Sequence, residues 1–303
     1  MDSRSTYNRI LVAVDFSLCG AAALKQAVWL ARRSGSRIVL AHVISKMSQY
    51  VHYGTHNTEL KQQELLDGTD AALRRLIVDL NAMDLNVTFK KLFGEPFVEI
   101  TKAVQESDFD LVLAGTRGSG MLEQFFVGST AKRLIRKCPS SVWVVKAEHL
   151  VPPKVVLAAT DFSEVSLKAV KEGLETARQA DAEFHLLHVI DSRDVPEDLI
   201  SRIPKGSSLK QEINEAAGKR MEEFLNLLSV DRSRIQVHLS WGTPWHEIQR
   251  MSRHQAADLI VIGTVGRSGI RGLFLGNTAE KVLDTCDCSI LTVKPAGFVS
   301  PIG

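Results

Sequence analysis

Cysteine is scarce in this sequence. The 303 residues contain four, Cys19, Cys138, Cys286 and Cys288. They are too few and too unevenly placed for a disulfide framework, and Cys286-Asp287-Cys288 has no second ligand pair at zinc-site spacing. Free thiols of this kind suit a reducing compartment. Charge of one sign is lacking as well. Thirty-seven basic residues stand against 35 acidic ones, a net of +2, which leaves no electrostatic footprint for a nucleic-acid backbone. Long apolar runs are also missing. None approaches the ~18 residues of a membrane span, and the apolar run at 10–14 is stopped by Asp15 before it reaches the length of a signal-peptide core. The expectation is a cytoplasmic protein with room for two domains of ordinary size.

What is present is a repeat, the first thing to look for in a chain of this length. Ile10-Leu11-Val12-Ala13-Val14-Asp15-Phe16-Ser17 matches Val156-Leu157-Ala158-Ala159-Thr160-Asp161-Phe162-Ser163. His42-Val43-Ile44 matches His188-Val189-Ile190, Gly94-Glu95-Pro96 matches Gly242-Thr243-Pro244, and Glu99 matches Glu247. The offset is 146 in the early pairs and 148 from Gly94 onward, so a two-residue insertion separates them. Two large units follow, expected over residues 1–147 and 154–303, with a linker at 148–154 carrying Pro152-Pro153.

Within each unit, short apolar runs alternate with amphipathic segments. The first unit reads as strands at 10–14, 37–43, 87–92, 110–114 and 141–146. The second reads as strands at 155–160, 183–189, 234–239, 258–262 and 289–293. Ser17 is placed to cap the first helix, and Pro96 to open the third, where a missing N–H costs nothing. Strands apolar on both faces and alternating with helices imply a parallel sheet covered on both sides. Right-handed crossovers make that a doubly wound α/β domain, and ligands in such domains sit beyond the carboxyl ends of the strands.

The chemistry-bearing feature stands at such an end. Gly115-Thr116-Arg117-Gly118, nine residues, then Gly128-Ser129-Thr130 recurs as Gly263-Thr264-Val265-Gly266, nine residues, then Gly276-Asn277-Thr278. Each copy follows an apolar strand and precedes an amphipathic helix. Glycines admit close backbone approach. A helix opening behind them offers unpaired N–H groups and the positive end of its dipole, a place suited to phosphate. The first copy carries the fuller motif and Arg117, opposed by Glu123, and on the motif it is the copy favoured for binding. The second has Asn277 for the hydroxyl residue and Val265 for the arginine, with Arg267 and Arg271 close behind and Asn277 able to cap a helix.

These residues give the chain a family likeness. Each half resembles a universal stress protein domain, whose ATP-binding members carry Gly, two residues, Gly, nine residues, Gly-Ser/Thr. The two-domain arrangement, ending in Val293-Lys294-Pro295, is similar to the tandem E-type members of bacteria. The resemblance implies a Rossmann-like fold with strand order 3-2-1-4-5 in each half and ATP lying across strands one and four. It implies that Ala13, Asp15, Ala159 and Asp161 line the nucleotide site, with the aspartates near the ribose. The backbone at Val43 and Val189 would read the adenine edge. The loop residues, including the Ser129 hydroxyl, would hold phosphates, with Mg²⁺ shared by the triphosphate. Family domains pair through their fifth strands, which here implies a pseudo-dimer within one chain, with a homodimer above it open. A stress-response role and a protein partner that reads nucleotide occupancy complete the expectation.

The loop lacks the Gly-Lys-Ser/Thr that sets a lysine against the β- and γ-phosphates. The sequence also presents no nucleophile–base–orienter set. Slow ATP hydrolysis is the most that is expected, and a non-nucleotide scaffold or carrier with a degenerate pocket remains the alternative. His42 and His188 read as hydrogen-bonded core histidines, Glu99 and Glu247 as solvated or salt-bridged faces. Trp29, Trp143, Trp241 and Trp245 read as core or interface residues rather than as a base-stacking platform. His52 and His56 have helical metal-pair spacing without a further ligand nearby.

Overall fold

The computed structural model describes residues 7–44, 58–81, 83–116, 127–147, 151–191, 209–228, 230–266 and 275–302. Two compact units divide the chain, Met1–Val151 with Phe298–Gly303 and Pro152–Gly297. The division falls inside the proline-bearing linker.

The first unit runs β1 (Arg9–Ala13), α1 (Leu18–Ser34), β2 (Arg37–Ile44), α2 (Thr58–Asn81), β3 (Val87–Phe93), α3 (Pro96–Ser107), β4 (Leu111–Gly115), α4 (Ser129–Lys137) and β5 (Ser141–Val145). Its strands are parallel in the order β3-β2-β1-β4-β5. The second unit runs β6 (Val155–Thr160), α5 (Glu164–Ala180), β7 (Glu183–Ile190), α6 (Leu209–Asn226), β8 (Ile235–Trp241), α7 (Pro244–His254), β9 (Leu259–Gly263), α8 (Asn277–Thr285) and β10 (Ser289–Val293). It repeats the order as β8-β7-β6-β9-β10, again parallel. Both units are therefore doubly wound sheets of order 3-2-1-4-5.

The central strands are shielded on both faces, as their unbroken apolar runs require. Ile10, Leu11, Leu111 and Leu113 in one unit, and Val156, Leu157, Leu259 and Ile260 in the other, are fully buried. Each such leucine or isoleucine contributes about 1.5–3 kcal/mol on burial. The two aspartates that open the fourth strands fix the register of the sheets. Asp110 Oδ2 accepts from the amides of Asn8 and Arg9 at 2.7 and 2.8 Å. Asp258 Oδ2 accepts from Lys154 and Val155 at 2.7 and 3.1 Å. Strand four is thereby clamped to strand one, and their carboxyl ends come out side by side.

Candidate functional site

Each first strand ends in the same small device. Ser17 caps α1 by accepting from the Gly20 amide at 3.0 Å, and Ser163 caps α5 by accepting from Ser166 at 3.2 Å. The aspartate two residues earlier holds the cap: Ser17 Oγ and Ser163 Oγ each donate to the Oδ1 of Asp15 and Asp161 at 2.6 Å. Between them, Phe16 and Phe162 adopt φ of 60° and 64°, a left-handed backbone that a bulky residue rarely takes and that commonly marks a functional turn. Each phenyl ring lies against the histidine of the second strand, Phe16 against His42 at 5.1 Å and Phe162 against His188 at 4.1 Å between centroids. Those histidines donate from Nδ1 to the Val14 and Thr160 carbonyls at 2.7 and 2.8 Å, which fixes their tautomer.

The fourth strands end in the glycine loops, and the first glycine of each has a packing role. A β-carbon on Gly115 would stand 2.6 Å from the Cys19 carbonyl carbon, and one on Gly263 would stand 2.9 Å from Val165 Cγ1. The glycine lets the first turn of α1 or α5 sit directly on the strand end. The last glycine closes the loop. Gly128 donates its amide to the Thr116 carbonyl at 2.6 Å, and Gly276 to Thr264 at 2.7 Å. Thr116 and Thr264 are in turn anchored through their own amides to Val145 and Val293, both at 3.0 Å.

Loop closure leaves the following helix bare at its N-terminus. Gly128 and Gly276 are the N-caps of α4 and α8, with no side chain bonded across the cap. The sequence offers Asn277 as a helix cap; in the structure it stands one position inside the helix, behind the Gly276 cap. The first intrahelical bonds run from Lys132 to Gly128 and from Glu280 to Gly276, at 3.0 Å each. The amides of Asn277, Thr278 and Ala279 therefore have no partner among the described residues, and those of Ser129, Thr130 and Ala131 stand in the same position. Three N–H groups converging at the positive end of a helix form a strong anion-facing surface.

In the second unit these parts enclose a crevice of about 850 Å³. Ala159, Asp161, Val189, Gly263, Gly266, Gly276, Asn277 and Thr278, all singled out from the sequence, line it together. Sequence reasoning did not place Pro244, Trp245 and Ile248 of α7 there, nor Asp191, Lys281 and Asp284. The lining combines residues of the loop and of the start of α8 with the apolar residues Leu187, Val189, Trp245 and Ile248. In the first unit Ala13, Asp15, Val43, Gly115, Gly128, Ser129 and Thr130 occupy the matching strand ends and helix start. Arg117, Gly118, Glu123, Arg267, Arg271, His52 and His56 lie outside the described residues. Among the described residues no group of three or more histidines, cysteines or acids is placed to hold a metal ion.

The start of α7 is held by Glu247, which is 7 % exposed rather than solvated. Its Oε2 accepts from Ser240 Oγ at 2.5 Å and from Arg250 Nη2 at 2.7 Å. Burial alone would raise this carboxyl; the Arg250 and Ser240 hydrogen bonds outweigh it and hold the pKa below the ordinary glutamate value. The carboxylate tucks under Gly242, whose φ of 146° suits only glycine. Two further histidines pair on neighbouring strands, His185 Nδ1 lying 2.9 Å from His238 Nε2. Burial lowers the pKa of both.

With this geometry in place, the chain can be set beside known proteins. The model of the Universal stress protein family matches residues 6–146 and again 153–294. Universal stress protein E of Photorhabdus laumondii is 28 % identical over 312 residues, covering 98 % of both chains. Universal stress protein E of Escherichia coli strain K12 is likewise 28 % identical, over 98 % of this chain and 96 % of its own. In fold, the crystal structure of a universal stress protein from Archaeoglobus fulgidus superimposes with a TM-score of 0.70 at 19 % identity, over 96 % of this chain and 99 % of that one.

Proposed function

The chain belongs to the universal stress protein family, and on that premise we propose that it binds an adenine nucleotide, ATP, in the crevice of its second unit. The reading includes a corresponding site at the first glycine loop and a regulatory or protective role in the stress response. The observation that carries it is the pairing, in one crevice, of three unpartnered helix-start amides with an apolar wall. A nucleotide has the matching halves, a polyphosphate and a flat base. Asp161, held at Oδ1 by Ser163, would face the ribose, and the Val189 main chain the base edge. A micromolar site needs about 8 kcal/mol, within reach of several charge-assisted hydrogen bonds of ~1.5–3 kcal/mol each after ordering costs.

Mg²⁺ fits this reading as part of the bound triphosphate. It keeps most of its waters and takes one or two carboxylates beside phosphate oxygens. Asp161 and Asp191 are crevice carboxylates able to serve it, and the ion would supply charge neutralisation for the phosphates. Nucleotide occupancy would stabilise one arrangement of the surrounding loops by mass action, a state that a protein partner in the cytoplasm could read. The proposal also includes the pseudo-dimer expected of a tandem member and leaves room for a homodimer.

Equilibrium dialysis and thermal unfolding of the full chain with ATP-Mg test the reading. The expected result is saturable binding and a raised unfolding temperature, both reduced by Gly266→Val. No binding and no shift at millimolar ATP-Mg would overturn it in favour of a scaffold or a carrier of another ligand.

A further inference from the structure

The two units differ at the aromatic residue that opens their matching helices α3 and α7. In the first unit, the ring following Gly94-Glu95-Pro96 is Phe97. It is 8 % exposed and roofed by two cations, Arg133 Cζ at 4.9 Å and Lys137 Nζ at 5.1 Å from its centroid. In the second unit, the ring following Gly242-Thr243-Pro244 is Trp245, which is half-buried and lines the crevice. The 148-residue offset puts Lys281 and Thr285 where Arg133 and Lys137 stand. Its ring neighbour among the described residues is His246, edge-on at 5.7 Å, and no cation lies over it among those residues. The helix start that carries it is held by the buried Glu247 bonds to Ser240 and Arg250, so the main chain at Trp245 is anchored independently of any ligand.

An indole in that position has a defined use. It offers a large apolar face at low entropic cost, and stacking on an aromatic side chain recognises any base through its π-face. Main-chain amides at a helix start recognise phosphate without regard to what the phosphate carries. The crevice thus holds two separable recognition elements. Resting on the nucleotide reading above, we propose that Trp245 is the specificity-determining contact of the second unit. It favours phosphate compounds that bear an aromatic base over bare polyphosphates, a discrimination that the roofed Phe97 does not supply in the first.

The test uses the full chain, with Gly118→Val in all forms to weaken the first loop. Wild type at 245, Trp245→Ala and Trp245→Phe are titrated with ATP-Mg and with inorganic tripolyphosphate-Mg, by equilibrium dialysis and by tryptophan emission. Trp245→Ala is expected to weaken ATP binding about tenfold, the scale of one lost base–aromatic stack, and to leave tripolyphosphate binding unchanged. Trp245→Phe restores most of the ATP affinity. ATP is expected to quench emission in the parent and not in Trp245→Phe, which still carries Trp29, Trp143 and Trp241. Wild-type ATP affinity in Trp245→Ala overturns the inference and leaves the nucleotide reading standing, and an equal loss for both ligands overturns it likewise. Failure of the parent to bind ATP overturns both.

Discussion

A β-carbon built on Gly266 would stand 2.7 Å from Oδ2 of Asp161. The second glycine of the loop therefore packs against the carboxylate that ends the first strand, and the two halves of the site are in register through this contact. Gly266→Ala forces the carboxylate or the loop to move. The expected cost is about 1 kcal/mol, at the low end for overpacking, with weaker ATP binding. Asp161→Ala in the same chain removes the obstructing atom, so the double variant should lose less stability than the sum of the two single losses. A thermal or denaturant double-mutant cycle measures this coupling. Strict additivity would show that the contact carries no strain.

The first glycines of the two loops predict unequal costs. At Gly115 an added β-carbon meets main chain, the Cys19 carbonyl carbon at 2.6 Å and its oxygen at 2.9 Å. At Gly263 it meets a side chain, Val165 Cγ1 at 2.9 Å. A valine can shift by a small rotation, whereas the first turn of α1 has to move as a body. Gly115→Ala should destabilise its unit by about 3 kcal/mol and Gly263→Ala by about 1 kcal/mol, the two ends of the overpacking range. Urea unfolding of the two variants, followed by unit-specific hydrogen exchange, checks the order. The reverse order would contradict the packing role assigned to these glycines.

The His185–His238 contact predicts a pH dependence confined to the second unit. At 2.9 Å between nitrogens, one ring must donate and the other accept, so the pair does not hold a proton on both facing atoms. His185 Nε2 is buried without a hydrogen bond, with Glu183 Oε2 3.7 Å away and His254 adding to the repulsion on His238. Burial depresses both pKa values. The unfolded chain then binds more protons than the folded one below the ordinary histidine value of about 6.5. Stability from this pair is fully present above that value and is lost as pH falls through and below it. Unfolding measured between pH 8 and about pH 5 should show that loss, and His238→Gln should flatten it. An unchanged slope in the variant would assign the pH dependence elsewhere.

Much of the fold was legible because two independent copies of each signal agree. Asp15-Phe16-Ser17 and Asp161-Phe162-Ser163 mark strand end, turn and helix cap together, and the apolar runs before them are long enough only for buried parallel strands. The glycine loops located the crevice because close approach and an open helix start both demand small residues there. Less legible was which job each glycine does. Spacing alone assigns Gly115 and Gly263 to phosphate, whereas their β-carbon positions are filled by α1 and α5. The sequence reads Glu247 as a solvated or salt-bridged side chain. It is bonded to Arg250 as that reading allowed, but it is also buried beneath a positive-φ glycine, a fact set by the tertiary placement of β8 against α7. The sequence reads Trp245 as core or interface, and in the structure it is half-buried and lines the crevice. The sequence difference that signals this is Thr285 in place of Lys137, which leaves Lys281 as the one cation at the two matching positions.

Hydrogen exchange at single-residue resolution on the amides of Asn277, Thr278 and Ala279, with and without saturating ATP-Mg, tests the central claim most directly. These N–H groups have no partner among the described residues, and receipt of a phosphate by them predicts marked slowing of their exchange, lost again in Gly266→Val. Exchange at all three that is the same with and without the nucleotide would contradict the account.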